Sequence, residues 1–308
     1  KKLDEAKKLV VNNPMKSKDL LVSATTLMNE DEIFIYQVDD FERDADYQTL
    51  LSQGDDQAKK GDYQEALRLY SDARRKKSTP EVQEKIASTR ATLYAKYLKL
   101  GDNNLSAGDY VSAAKFYIQA EAYADDLSEL NTRKPRVLEK LITLGKDHAS
   151  LGKHKEAVEV FDLALKMGSS EEARRLREVS NNYVEYDYWM EKANKILQTG
   201  NTGDTETAVE SALRYRKTEE ATRLLGKIQA YHQYCKNAEG WLKNGNIVYA
   251  EAQVESARNE IPSGGWGIRL KAKISDYRAY IKNAEDYLLK NDLVKAKEQI
   301  SAAANICS

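Results

Sequence analysis

Six stretches of the chain share one register, and that register constrains the fold more than any other property of the sequence. They open at Tyr47, Tyr94, Leu138, Tyr186, Tyr231 and Tyr277. Three residues on stands a large side chain (Leu50, Tyr97, Leu141, Trp189, Tyr234, Tyr280), followed at once by Leu51, Leu98, Ile142, Met190, Cys235 or Ile281. Three further on comes a small residue: Gly54, Gly101, Gly145, Ala193, Ala238 or Ala284. Four beyond that the apolar face returns at Ala58, Leu105, Ala149, Leu197, Leu242 and Leu288. Steps of three and four place these side chains on one face of a helix, whereas a strand would need steps of two.

The register breaks at Gly61-Asp62, Gly108-Asp109, Gly152-Lys153, Gly200 to Gly203, Gly245-Asn246 and Asn291-Asp292. Gly and Asn end helices in the left-handed conformation. A second helix follows with a small residue at Ala66, Ala113, Ala157, Ala208, Ala250 and Ala296, and another seven residues later at Ala73, Ala120, Ala164, Ala257 and Ala303. Small residues on both helices allow the close approach of a helical hairpin. The fourth unit departs, with three extra residues in its turn and Tyr215 where the later alanine belongs. On this alignment the units are spaced by 47, 44, 51, 42 and 46 residues. The last two agree best: Arg223-Leu224, Lys227-Ile228, Tyr231, Tyr234 and Lys236 to Glu239 recur 46 residues on. From Pro80 no Pro or Gly intervenes before Gly101, so first helices of roughly 25 residues and second helices of about 14 are expected. Residues 1–30 read as a further, degenerate hairpin with Leu3, Ala6, Leu9 and Val10 on one face and Leu20, Leu21, Ala24, Leu27 and Met28 on the other. Residues 31–308 hold the six units in one continuous solenoid. Ile33 to Tyr36 has strand-like composition, but Phe34, Val38, Phe41 and Ala45 keep helical spacing into Tyr47, so helix is expected there.

Composition fits this plan. The chain has 308 residues, 4 Pro, 15 Gly, and 19 Tyr against 4 Phe. Thirteen of those tyrosines fall at recurring slots, where an aromatic body can pack between hairpins while its hydroxyl reaches water or a neighbouring backbone group. A net charge of -1 gives no bulk attraction for nucleic acid. Locally, residues 31–62 carry ten acidic and three basic groups, either a solvated helix face or a dock for a basic partner. Arg74-Arg75-Lys76-Lys77 stands at an expected helix end, where cations complement the helix dipole. No apolar run approaches the roughly 18 residues of a membrane span, so no direct membrane insertion is expected. The sequence begins at Lys1 without a leader and is read as a processed form or a fragment; cytoplasm is the default compartment, an exported or periplasmic location the alternative.

Chemistry-bearing motifs are scarce. There is no phosphate-binding glycine loop and no His-Glu-x-x-His. His148 and His154 flank one turn without an obvious further metal ligand, so no metal or cofactor is expected. Cys235 shares its slot with Leu98 and Ile142 and is read as core; Cys307 is a free thiol or a packing residue. The Gly264-Gly265-Trp266-Gly267 stretch is read as a helix entry with Trp266 tucked onto the neighbouring unit, the alternative being an exposed aromatic anchor for a partner.

Leu100-Gly101, Gly108-Asp109-Tyr110, Ala113, Tyr117 and Ala120 resemble the tetratricopeptide repeat, as do Gly54, Gly61-Asp62-Tyr63, Ala66, Tyr70 and Ala73, and Leu144-Gly145, Ala157, Phe161 and Ala164. The last three units resemble it more loosely. The resemblance covers about residues 45–305 and implies an all-α, right-handed α-α superhelix, with units longer than the family's 34 residues. It also implies a non-enzymatic module that binds or scaffolds a protein or peptide partner. The alternatives are a regulatory or sensor segment of a larger multidomain or membrane-anchored protein, or a self-assembling structural unit; the sequence leaves oligomeric state open. The candidate partner-binding residues are those following the small one, Asp55, Asp102, Lys146, Asn194, Glu239 and Glu285, with Tyr47, Tyr94, Tyr186, Tyr231 and Tyr277 at the groove edge.

Overall fold

Each expected break is a helix end because the backbone there turns left-handed. Gly61, Gly108, Gly152, Gly200 and Gly245 all have φ between 72° and 82°, and Asn291 has φ 56°. A computed structural model of the protein describes residues 2–10, 12–25 and 32–307. Among them lie fourteen helices and no strand: α1 (Lys2–Leu9), α2 (Pro14–Thr25), α3 (Glu32–Lys59), α4 (Tyr63–Lys76), α5 (Pro80–Ser106), α6 (Tyr110–Glu121) and α7 (Ser128–Ser150), then α8 (His154–Met167), α9 (Glu171–Gln198), α10 (Thr202–Tyr215), α11 (Glu219–Lys243), α12 (Ile247–Glu260), α13 (Gly265–Leu289) and α14 (Leu293–Cys307). From α3 on, long first helices of 23–28 residues alternate with second helices of 12–15. The ambiguous stretch after residue 32 is helix, the start of α3. Leu27 and Met28 lie outside the described residues, as do the side chains of Leu3, Ala24, Phe34 and Val38.

The chain forms two compact units, one running to Asp147 and including Glu159–Arg174, the other comprising His148–Val158 and the chain from Arg175. In the first, Ser17 on α2 donates to the Ala6 carbonyl of α1 at 2.8 Å, and Ala6, Leu21 and Phe41 form a small core. Tyr47 and Leu51 of α3 meet Ala66, Tyr70 and Ala73 of α4, with Val82 of α5 closing the cluster. The small residue of each first helix admits a ring from its partner. A Cβ at Gly54 would stand 2.5 Å from Tyr70 Cε1, and one at Gly101 or Gly145 would likewise strike Tyr117 or Phe161. The glycines are therefore set by ring volume and not by backbone conformation. In the second unit one core runs from Tyr186 through Met190, Val209, Ile228, Tyr231, Cys235 and Val254 to Ile274. Adjacent helices pack on one another: α10 on α11, α11 on α12, α12 on α13 and α13 on α14.

The fourth hairpin corrects the sequence alignment. Asn201 caps α10 by accepting from the Asp204 N–H at 3.1 Å, so Asn201 stands where Asp62 and Asp109 stand in α4 and α6. The small slot four residues on is then Thr205, fully buried, and the later one is Ala212, also fully buried. Tyr215 is a surface residue. No residues are inserted: units measured through Ala66, Ala113, Ala157, Thr205, Ala250 and Ala296 are spaced by 47, 44, 48, 45 and 46. Thr205 fills an alanine slot because its hydroxyl donates to the Asn201 carbonyl at 2.7 Å and buries no unpaired polar atom.

Candidate functional site

The residue after the small one lies beside the seam between consecutive hairpins, and in several units it is a brace. Asp55 accepts from the Tyr70 hydroxyl of its own hairpin at 2.7 Å and from Lys85 Nζ of the next first helix, also at 2.7 Å. Asp102 repeats the arrangement with Tyr117 at 2.6 Å and the Arg133 guanidinium at 2.8 and 3.2 Å. Burial pushes the Asp102 carboxyl up, but hydrogen bonds from Arg133 and Tyr117 outweigh it and hold the group below the usual carboxylate range. Burial and the adjacent carboxylate raise the Tyr117 and Tyr70 hydroxyls, so both remain donors. In the third unit the polarity inverts, with Lys146 meeting Glu172 at 2.6 Å. Glu239 accepts from the Trp266 indole N–H at 2.9 Å. Asn194 and Glu285 are exposed.

The opening tyrosines reach forward to the start of the next first helix. Tyr47 and Tyr186 bond Thr79 and Thr218 at 2.7 Å, each 32 residues on, and those threonines cap α5 and α11 through the N–H of Val82 and Ala221. Tyr231 has no such threonine. Its own hydroxyl accepts from the Gly267 N–H at 2.7 Å and so serves as the cap of α13; burial pushes its pKa up to about 12. Tyr94 has a buried hydroxyl with no hydrogen-bond partner, and Tyr277 is half-buried. Of the eleven candidate residues, none is hydrogen-bonded or ion-paired to another among the described contacts. Each is joined, where joined, to its own or the following hairpin.

The acidic band is partly consumed internally. Asp46 of α3 accepts from Lys18 at 2.7 Å and Lys76 at 3.0 Å, and Asp44 pairs with Lys77 at 2.8 Å. The hydrogen bond from Lys18 leads the causes that hold Asp46 below its ordinary pKa. Two of the four consecutive cations thus face α3 as well as ending α4. Sequence spacing missed these partners, and also Lys85, Arg133, Thr79 and Thr218. The available signal was the recurrence of Lys85 and Arg133 at 30 and 31 residues after their aspartates, and of threonine at 32 after two tyrosines.

Elsewhere the expectations from spacing meet particular contacts. Cys235 is fully buried in the core. The 261–267 segment enters α13, with Gly265 N–H donating to the Gly200 carbonyl at 3.0 Å and Trp266 packed against the core. His154 stacks on Tyr183 at 3.9 Å and burial lowers its pKa. Among the described residues no three His, Cys, Asp or Glu side chains are grouped to hold a metal, and no helix is long and apolar enough to cross a membrane. Together these features define an all-α protein of neighbour-packed helical hairpins. No protein-family model matches the sequence, and a search of curated proteins finds no significant match.

Proposed function

We propose that the protein is a non-enzymatic, tetratricopeptide-like module that binds a protein or peptide partner on its helical-hairpin surface. The observation carrying this reading is a cluster of large apolar side chains left exposed on the fifth hairpin. The Trp241 and Tyr249 rings lie with centroids 5.2 Å apart, and both are exposed, as is Val248. Exposed aromatics amid polar residues are the anchors that dominate protein interfaces. The contacts of Gly54 with Tyr70, Gly101 with Tyr117 and Gly145 with Phe161 support the tetratricopeptide resemblance. Variation within one register slot supports recognition there: Asn194 and Glu285 share the slot, are both exposed, and differ in charge. A basic partner would meet the exposed remainder of the acidic band, Asp39 and Asp40 among it. The test is affinity capture from the native source with the full chain as bait, compared with a Trp241→Ala, Tyr249→Ala bait. Specific proteins retained by the first and lost by the second support the reading. No protein retained above an unrelated helical control would sink it.

A further inference from the structure

Five of the six second helices follow a residue whose side chain can accept a backbone N–H, and the third does not. Asp62, Asp109, Asn201 and Asp292 each accept the N–H three residues on, at 3.0 to 3.2 Å, and Asn246 stands before α12. Before α8 the position is Lys153, whose side chain has donors but no acceptor. Its charge also opposes the positive end of the helix. The residue that follows is His154, where the other hairpins have Tyr63, Tyr110, Thr202, Ile247 and Leu293. Its ring lies on the Tyr183 ring of α9, with centroids 3.9 Å apart and planes inclined by 21°. The Arg216 guanidinium, at the end of α10, stands 3.6 Å from the centre of the same ring. Two groups this close to one centroid cannot share a face, so Tyr183 is held between His154 and Arg216. All three residues belong to the second compact unit.

We infer that this stack is a pH-sensitive latch: neutral His154 fastens the uncapped first turn of α8 to Tyr183, and protonated His154 leaves the ring and releases that turn. The Nδ1 atom of His154 is buried without a hydrogen-bond partner, so a proton placed there meets no acceptor. The imidazolium would stand at the N-terminal end of α8. It would also face, across one ring, the Arg216 charge, which has no ion-pair partner among the described residues. A cation is attracted to a tyrosine face, but Arg216 already holds the other face of this one. On α8 itself Lys153 and Lys155 flank the histidine in the chain, and Glu156 is the acid of the first turn. Burial leads the causes that hold the imidazole below its ordinary 6.5; Asp187 of α9 acts against it and Arg216 with it. In the released turn the imidazole regains that ordinary value. Protons therefore bind the released form more tightly. The latch is closed above pH 6.5, and its hold is lost as pH falls from 6.5 through the folded-state value. This device does not depend on which partner binds at Trp241 and Tyr249.

Hydrogen exchange of the full chain, read by mass spectrometry between pH 7.5 and 5.0 and corrected for intrinsic rates, follows the turn in peptides spanning 152–158. Its opening is expected to rise severalfold on acidification, with a ceiling of roughly thirtyfold set by an ordinary imidazole in the released form. Exchange in α6 should stay at its level at the higher pH. In nuclear magnetic resonance the His154 imidazole should titrate below 6.5. His154→Phe keeps a ring on Tyr183 but takes no proton, so its exchange in 152–158 should not change with pH. Arg216→Gln removes the facing cation, and the His154 titration should move up. His148→Gln, near the end of α7, should leave the rise intact. A wild-type rise of less than about twofold, an imidazole titrating at or above 6.5, or a rise that survives in His154→Phe overturns the latch. So does a rise abolished by His148→Gln, which would place the sensor there. The wild-type exchange and titration need no variant, so they decide the question even if a substituted chain fails to fold.

Discussion

At the scale of single residues, two kinds of glycine do different work. Gly101 has an ordinary helical backbone but faces the Tyr117 ring, so a methyl group there must displace the ring. Gly101→Ala is expected to cost about 1–3 kcal/mol by overpacking. Gly61 has open space around it but φ +82°; Gly61→Ala is expected to cost about 1–2 kcal/mol through backbone strain. Urea unfolding followed by far-ultraviolet circular dichroism checks both, and an unchanged midpoint for Gly101→Ala would remove the ring-in-groove account. Asp102 sets a pH dependence. Its folded-state pKa lies below the ordinary 3.8, so its stabilisation is present above that ordinary value. It is lost as pH falls through the lower, folded-state value. Asp102→Asn should therefore destabilise at pH 7, and the gap to wild type should shrink on acidification through this window. A gap that stays constant between neutral and strongly acidic pH would show that the carboxylate's charge is not what Arg133 and Tyr117 stabilise.

Whole helices depend on groups outside themselves for their first turn. Thr218 caps α11 through the Ala221 N–H and is itself held by the Tyr186 hydroxyl. Thr218→Ala is expected to cost about 0.5–2 kcal/mol, and Tyr186→Phe about 0.5–1.5 kcal/mol. Because the two groups share one hydrogen bond, the double variant should cost less than the sum of the singles. Additive costs in the urea midpoints would show that the hydroxyl and the cap act independently. Helix existence and length were legible in sequence, since periodicity and Gly breaks are local signals. The start of α10 was not. Gly200 and Gly203 both looked like breaks, and only the Asn201 cap onto Asp204 decides that the helix begins at Thr202.

For the whole molecule, hairpins that contact mainly their neighbours make stability a sum of local terms. Gly101→Ala should raise hydrogen exchange in α5, α6 and the helices adjoining them. Protection in α11 and α12 should stay at the wild-type level. Mass spectrometry of exchanged peptides reads this directly, and a uniform rise across the chain would point to one cooperative unit instead.

Sequence alone determined the all-helical hairpins, their lengths, their left-handed breaks and, outside the fourth hairpin, the small-residue core slots, because each follows from local spacing and from side-chain size. It also marked the tyrosine excess as mainly architectural, while placing Tyr47, Tyr94, Tyr186, Tyr231 and Tyr277 at a groove edge. What it could not supply was the partner of each polar group. Asp55 and Asp102 read as outward acidic residues until Tyr70, Lys85, Tyr117 and Arg133 were placed around them. A carboxylate on a helix surface looks the same in sequence whether it meets water or a neighbouring repeat. The difference between Val254 and Ile300 is of the same kind: equivalent residues in near-identical sequence, one covered by a helix and the other open. Burial depends on what lies across the seam, and only tertiary packing decides that.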